Sequence, residues 1–446
     1  MIKYTKFFIT FLLAVIVLQA RSQSTANTSS PYSQYGIGDL APAWLPQNTA
    51  MGGIATGINT INGFNTINPL NPASYGAIGL TTIDVGLYAS STSLSQSGQP
   101  TQQNGNFRLS HIAFAIPLGN RSAFSFGLLP YSQVGYNYKQ TLKNYGSGSS
   151  VDTNAVNYVY NGEGGLSKAY IGYGVTIARH LLLGFNASYI FGNIKHFQST
   201  EIPSLVGTLN SRIENDNAVS GFTYDYGAQY IIDLSLTKHI VIGYSATAKS
   251  MINSQNTYIV SQYSTDANGN PNVATDSLVN QPSNKVKIQL PQINHFGISY
   301  QKDLKYLIGA DYTMGHWSDL SIGGVNQGTV NSSTFNIGGQ YTPNMNSLNS
   351  YLATVDYRLG FMLDNTYYNI ANPTGGGYTN IKSKAVTFGL GLPLRPGAGG
   401  TFYKVNFSAE LGQRGTLNNG LVDEKYINLR IGFTLNDKWF QRYKFE

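Results

Sequence analysis

The chain has 446 residues, of which only 11% are charged, with 28 Lys and Arg against 21 Asp and Glu; it holds 49 Gly, 32 Tyr, 21 Phe and no Cys. So few charges with so many tyrosines and glycines exclude an ordinary charge-rich soluble enzyme, and the lack of long apolar runs excludes a helical membrane protein. Without Cys there are no disulfides, no thiolate metal sites and no acylated-cysteine anchor, and the scattered positive excess forms no basic tract of the kind that binds nucleic acid.

Lys3 and Lys6 precede the apolar run Phe7 to Leu18, which is followed by the small residues Ala20 and Ser22. A positive segment, an apolar segment and a small-residue cleavage pattern predict a secretory signal peptide over 1–22. The run is 12 residues long, whereas a spanning helix needs ~20. Its removal takes away Lys3, Lys6 and Arg21 and lowers the formal charge from +7 to +4 (7 − 3 = 4).

Residues 23–79 do not alternate and carry few charges, which suits a segment that fills a lumen better than a disordered tail. From 80 onward the pattern changes to a period of two. Phe222, Tyr224, Tyr226, Ala228, Tyr230, Ile232 and Leu234 alternate with Thr223, Asp225, Gly227, Gln229, Ile231 and Asp233. Tyr351 to Phe361 and Tyr403 to Leu411 repeat the device. Successive strand residues face opposite sides, so each such segment has one apolar and one polar face.

Turn residues divide 80–436 into fourteen segments, at 80–91, 106–117, 120–131, 166–178, 180–193, 219–235, 237–252, 286–301, 304–315, 331–343, 350–362, 380–392, 401–413 and 424–435. Tight turns at 117–120, 178–180, 234–237 and 302–304 alternate with long polar connections near 92–105, 132–165, 194–218, 253–285, 316–330, 363–379 and 414–423. An even number of long strands with short turns on one rim and long loops on the other predicts an all-β transmembrane antiparallel barrel in the bacterial outer membrane, apolar side to lipid. A tail, 437–446, follows the last strand; Trp439, Phe440 and Tyr443 suit interfacial anchoring or docking to a partner.

Met51-Gly52-Gly53 and Asn71-Pro72-Ala73, both ahead of the first strand, give the chain its family resemblance. They resemble the N-terminal hatch of the FadL family, outer-membrane transporters of long-chain fatty acids and aromatic hydrocarbons. The opening Ser30 to Asp39 and the tail Trp439 to Phe445 look like Bacteroidetes members of that superfamily, a lineage that also holds PorV-like barrels serving secretion machinery. The resemblance implies a fourteen-stranded barrel closed by a hatch carrying Met51, Gly52, Gly53, Asn71, Pro72 and Ala73. It also implies a side exit where the third strand kinks, here at Gly127 and Pro130. Proline cannot donate to a ladder, so Pro130 either opens the wall or ends the strand at the rim.

Asp225, Asp233, Asp311, Asp356, Arg358, Lys404, Glu410 and Arg430 fall on the inward face and are expected to tune the lumen or hold the plug, Arg358 or Arg430 also being able to take a carboxylate. Enzyme chemistry finds little support. Ser110 and His111 are adjacent and so belong to opposite faces of a regular strand, and the six His show no metal spacing. Asp266 to Asn270 lacks the Gly position and closing Glu of a calcium loop, and no cofactor is expected. The reading is a plugged barrel passing a hydrophobic small molecule through an apolar pocket, in contact with membrane lipid. The alternative is a non-transporting barrel with protein partners in an outer-membrane secretion or assembly complex.

Overall fold

The computed structural model describes residues 29–61, 63–143, 155–203, 209–266, 271–274, 276–394 and 402–438. The expected signal peptide, the tail aromatics Trp439, Phe440 and Tyr443, and residues 267–270 of the calcium-like loop lie outside them.

The period-two segments pair as antiparallel neighbours into a closed ring of fourteen staves. In chain order these are β1 (Thr81–Gln96), β2 (Gln102–Gly119), β3 (Ser122–Lys143), β4 (Ala155–Ile177), β5 (Leu181–Glu201) and β6 (Asn210–Ser235). Next come β7 (Lys238–Thr247, resuming as Ser250–Tyr263), β8 (Val286–Leu290, resuming as Ile293–Lys302), β9 (Tyr306–Gly315) and β10 (Ser332–Tyr341). The ring ends with β11 (Asp356–Ala371), β12 (Tyr378–Leu394), β13 (Phe402–Gly415) and β14 (Val422–Asp437), and β14 pairs with β1 from Val422↔Gln96 to Asp437↔Thr81. Closure leaves no terminal strand unpaired, the condition a β structure must meet in hydrocarbon. Among the described residues no helix is long and apolar enough to cross a membrane.

The alternation sorts side chains as expected across the ring's middle. On β6, Phe222, Tyr224, Tyr226 and Tyr230 are exposed on the outer face, whereas Thr223, Asp225 and Gln229 are buried inside. On β11, Tyr357, Leu359, Phe361 and Leu363 point out, and Asp356, Arg358 and Met362 point in.

Toward the long-loop rim the strands outrun the sequence expectation. Residues 132–165 and 194–218 are not simply loops: β3 to β6 are 21–26 residues long, whereas β9 and β10 have 10. Beyond the apolar belt, alternation vanishes because neither face meets lipid, and ladder hydrogen bonds alone carry the strands on. There the interior is apolar rather than polar. Leu166, Ile190, Ile194, Val219, Ile252 and Ile288 form an apolar cluster with Tyr32, Ile37, Trp317, Tyr367 and Tyr368.

On the short-turn rim, one connection among the described residues breaks the rule. β11 begins at Asp356 instead of residue 350, and Tyr351 to Thr354 lie in a long link, Thr342 to Val355, ending in a 3₁₀ turn. Val355 is buried, and its neighbours lose the alternation that suggested a strand.

Candidate functional site

The segment between residue 45 and β1 packs against inward-facing groups of β4 to β14. Cross-strand glycine pairs in the wall receive it, three of them as follows. Gly184 and Gly227 are register partners on β5 and β6, and a Cβ on either would overlap Pro72 or Asn71. Gly243 and Gly297 pair on β7 and β8 against Thr56 and Gly57. Gly338 and Gly360 pair on β10 and β11 against Met51 and Gly52. Removing two facing side chains lets backbone meet backbone, the reason for Gly in a strand interior.

Polar groups fix the same contacts. Asp311 Oδ2 accepts from the amides of Ala55 and Thr56, each at 2.7 Å. Gln229 donates to the carbonyls of Thr56 and Ile58, and Gly52 N donates to Thr387 Oγ1 at 2.8 Å. Gly52 and Gly53 have φ of +72° and +85°, which completes the turn after the short helix Pro46–Thr49.

Asn71 caps the 3₁₀ turn Pro72–Ala77, its Oδ1 accepting from Ala73 N at 3.2 Å, while its Nδ2 donates to Thr56 O at 2.8 Å. Asn71, Pro72 and Ala73 are all buried. The tripeptide thus ties the Thr56 turn to the wall at Gly184 and Gly227.

The wall itself is interrupted beside this segment. The β2–β3 ladder runs from Gly119↔Ser122 to Ile112↔Leu128 and stops there, although β2 continues to Gln102 and β3 to Lys143. Pro130 is therefore not the end of β3: it still pairs with Ser167 of β4, and the register slips at the next residue. Gly127 remains within the ladder, opposite Ala113.

Above the break, an arm from the N-terminal segment takes over the hydrogen bonds that β2 leaves unmade. Its short strand Asp39–Leu40 pairs with Gln133 and Ser132, Ala41 N donates to Tyr131 O, and Ser30 N donates to Gly135 O. The far side of the arm is held by Arg414. That guanidinium donates twice to Asp39 (2.7 and 3.2 Å), once to Glu424 Oε2 (2.7 Å) and once to Ser30 Oγ (2.8 Å). Burial, and then the Glu424 charge, raise the Tyr32 phenol above its ordinary value, so it stays neutral and donates to the Val422 carbonyl.

Arm, inner segment and wall enclose a cavity of about 350 Å³ that reaches Leu129, Pro130 and Tyr131 at the break. Its lining is mixed, not apolar: Trp44, Tyr131, Trp317, Tyr367 and Tyr368 share it with Arg108, Lys168, Asp225, Glu410, Arg414, Glu424 and Arg430. The charges are largely paired, as buried charges must be. Lys168 Nζ is 2.6 Å from Asp225 Oδ2, and Arg430 Nη1 is 2.9 Å from Glu410 Oε2. Arg108 and Arg430 also flank the Tyr88 ring, 4.2 and 5.1 Å from its centroid.

The sequence-selected charges thus separate into three groups. Asp225, Glu410 and Arg430 reach the cavity, whereas Asp311 grips the inner segment. Asp356, Arg358 and Lys404 form a buried triad outside the cavity lining; Arg358 donates to Gln340, Asn406 and Asp356, and Lys404 donates to Asp356. Asp233 is no lumen group: it sits half-exposed at the short-turn rim, where it meets His239 and His180. Sequence reading missed Arg414 and the three glycine pairs. It also misplaced Ser110, which faces inward together with His111 because a bulge interrupts β2.

Solved transport proteins share this architecture. The chain superposes on the Pseudomonas putida toluene transporter TodX with a TM-score of 0.56 at 13% identity, covering 89% of this chain and 98% of that one. The Ralstonia pickettii toluene transporter TbuX gives 0.55 at 17% identity over the same shares, and a Pseudomonas aeruginosa FadL homologue 0.53 at 12% identity, covering 91% and 100%. These likenesses establish a FadL-like barrel fold. No curated protein sequence matches the chain. The BamG family model matches residues 1–446 from end to end, and the chain belongs to the BamG family.

Proposed function

We propose that this chain is a bacterial outer-membrane barrel that passes a small, mainly hydrophobic molecule with a polar end. The break in the β2–β3 ladder, opening beside a cavity lined by both aromatic and charged side chains, is the observation that carries this reading. The apolar outer belt and the signal-like residues 1–22 support the location. The proteins of like fold named as toluene transporters support the ligand class. In this reading the long loops capture the molecule, the cavity holds it, and a shift of Met51-Gly52-Gly53 and Asn71-Pro72-Ala73 releases it, with Gly127 and Pro130 framing a side exit.

The test is uptake of a fluorescent fatty acid and of toluene by vesicles carrying the purified barrel. Pro130→Val, which restores a ladder donor at the break, is expected to slow uptake severalfold; uptake unchanged from the wild type removes the side exit from the mechanism.

A second reading, a barrel subunit of an outer-membrane assembly or secretion complex, is favoured by the link Thr342 to Val355. It presents Leu348 at 99% exposure, with Tyr351 and Leu352, on a rim whose other described connections are tight turns. Mild solubilisation separates the readings. A stoichiometric protein partner that is lost on Leu348→Asp favours the subunit, whereas a bound lipid or detergent in the lumen favours the transporter.

A further inference from the structure

Ser110 and His111 would face opposite sides of a regular strand, yet both are buried and both line the cavity. The β1–β2 register slips between Gly86 and Leu87: Gly86 pairs with His111 and Leu87 with Leu109, leaving Ser110 as the extra residue of a bulge. Gly86 makes the room, since a Cβ there would overlap the His111 ring.

The bulge assembles a chain of three side chains. His111 Nε2 lies 2.7 Å from Asp84 Oδ1, and His111 Nδ1 lies 3.2 Å from Ser110 Oγ. The second Asp84 oxygen accepts from Thr434 Oγ1 at 2.7 Å, so the carboxylate is fixed from both sides. A carboxylate on Nε2 assigns the proton to that nitrogen and leaves the Nδ1 lone pair facing the hydroxyl. A histidine buried only for packing is satisfied by the aspartate and any backbone N–H. Here its second nitrogen ends on a hydroxyl at a cavity wall, beside the break at Leu129 and Pro130.

We propose that Ser110, His111 and Asp84 form a nucleophilic relay that cleaves an acyl ester held in the cavity. Ser110 Oγ attacks the ester carbonyl, forming the Oγ–C bond as its proton passes to His111 Nδ1; Asp84 stabilises the imidazolium. Arg108, two residues along on the same inward face and in the same cavity, supplies positive charge for the oxyanion. The intermediate collapses with loss of the alcohol, which takes the His111 proton. Water then attacks the acyl-serine, giving its proton to His111 and releasing the carboxylic acid, and Ser110 recovers its hydrogen. Atoms balance with water as the only co-reactant.

The test uses the full chain in detergent, with folding checked by heat-dependent electrophoretic mobility. An alkyl fluorophosphonate is expected to form one adduct, mapped by mass spectrometry to Ser110, and a p-nitrophenyl acyl ester is expected to turn over above the S110A background. General-base assistance is worth about 10²- to 10⁴-fold, so H111Q should slow labelling at least 100-fold. D84N, which keeps shape and loses charge, should slow it at least tenfold. Ser277→Ala, exposed and outside the cavity, should leave it unchanged. Absence of a Ser110 adduct, a labelling rate unchanged in H111Q, or no ester turnover overturns the proposal.

Discussion

Gly184 and Gly227 show how a residue without a side chain determines where another segment goes. Each clears space for the carbonyl and ring of Asn71-Pro72, and neither is needed for the ladder it belongs to. Gly184→Val is therefore predicted to overpack the contact, at a cost of about 1–3 kcal/mol, and to unseat Asn71-Pro72-Ala73. Limited proteolysis near residue 71 should become faster in that variant, whereas Gly119→Val, with nothing within 4 Å of its Cβ, should leave it unchanged. At this scale the sequence was partly legible. Thr223, Asp225 and Gln229 read as inward because a period of two is local information. The glycine pairs did not, because 184 and 227 become partners only through a register set by distant turns. Ser110 failed for a related reason, since a single inserted residue flips the facing of all that follows it.

The arm and the long staves belong to the scale of elements. Strand positions were legible wherever lipid imposes alternation, and the fourteen segments fall where the pattern put them. Strand ends were not legible. Above the belt, β3 to β6 continue for residues whose polarity reads as loop, and Tyr351 to Thr354 mimic alternation within a link. The arm was invisible for want of any periodicity: Asp39–Leu40 is a two-residue strand that exists because β3 lost its partner above Leu128. Its anchor is electrostatic, through Arg414. Breaking a buried pair leaves uncompensated charge, so Arg414→Leu is predicted to destabilise the arm by about 3 kcal/mol or more. A cysteine placed at Leu40 should then react faster with a soluble maleimide than in the parent protein; an equal rate would show that pairing with Gln133 and Ser132 suffices.

For the whole molecule, the ring and its filling are one thermodynamic object. Among the described residues, Asp311 and Gln229 find side-chain hydrogen-bond partners on the inner segment, and unmet buried groups cost about 1–3 kcal/mol each. Deleting residues 45–76 is predicted to lower the thermal unfolding midpoint markedly, whereas shortening the polar loop at 372–377 should not. Differential scanning calorimetry on detergent-solubilised protein checks both; an unshifted midpoint for the first deletion would mean that the ring is self-sufficient.

The glycine pairs also bear on the order of events by which the molecule is made. They lie on β5–β6, β7–β8 and β10–β11, so the inner segment is gripped from three directions at once. Seating it in all three places is simplest while the seam between β14 and β1 is still open, so that the ring closes around a filling already in place. The inner segment is then the mould on which the wall is cast, and its emergence ahead of β1 in the chain supplies the mould before the wall.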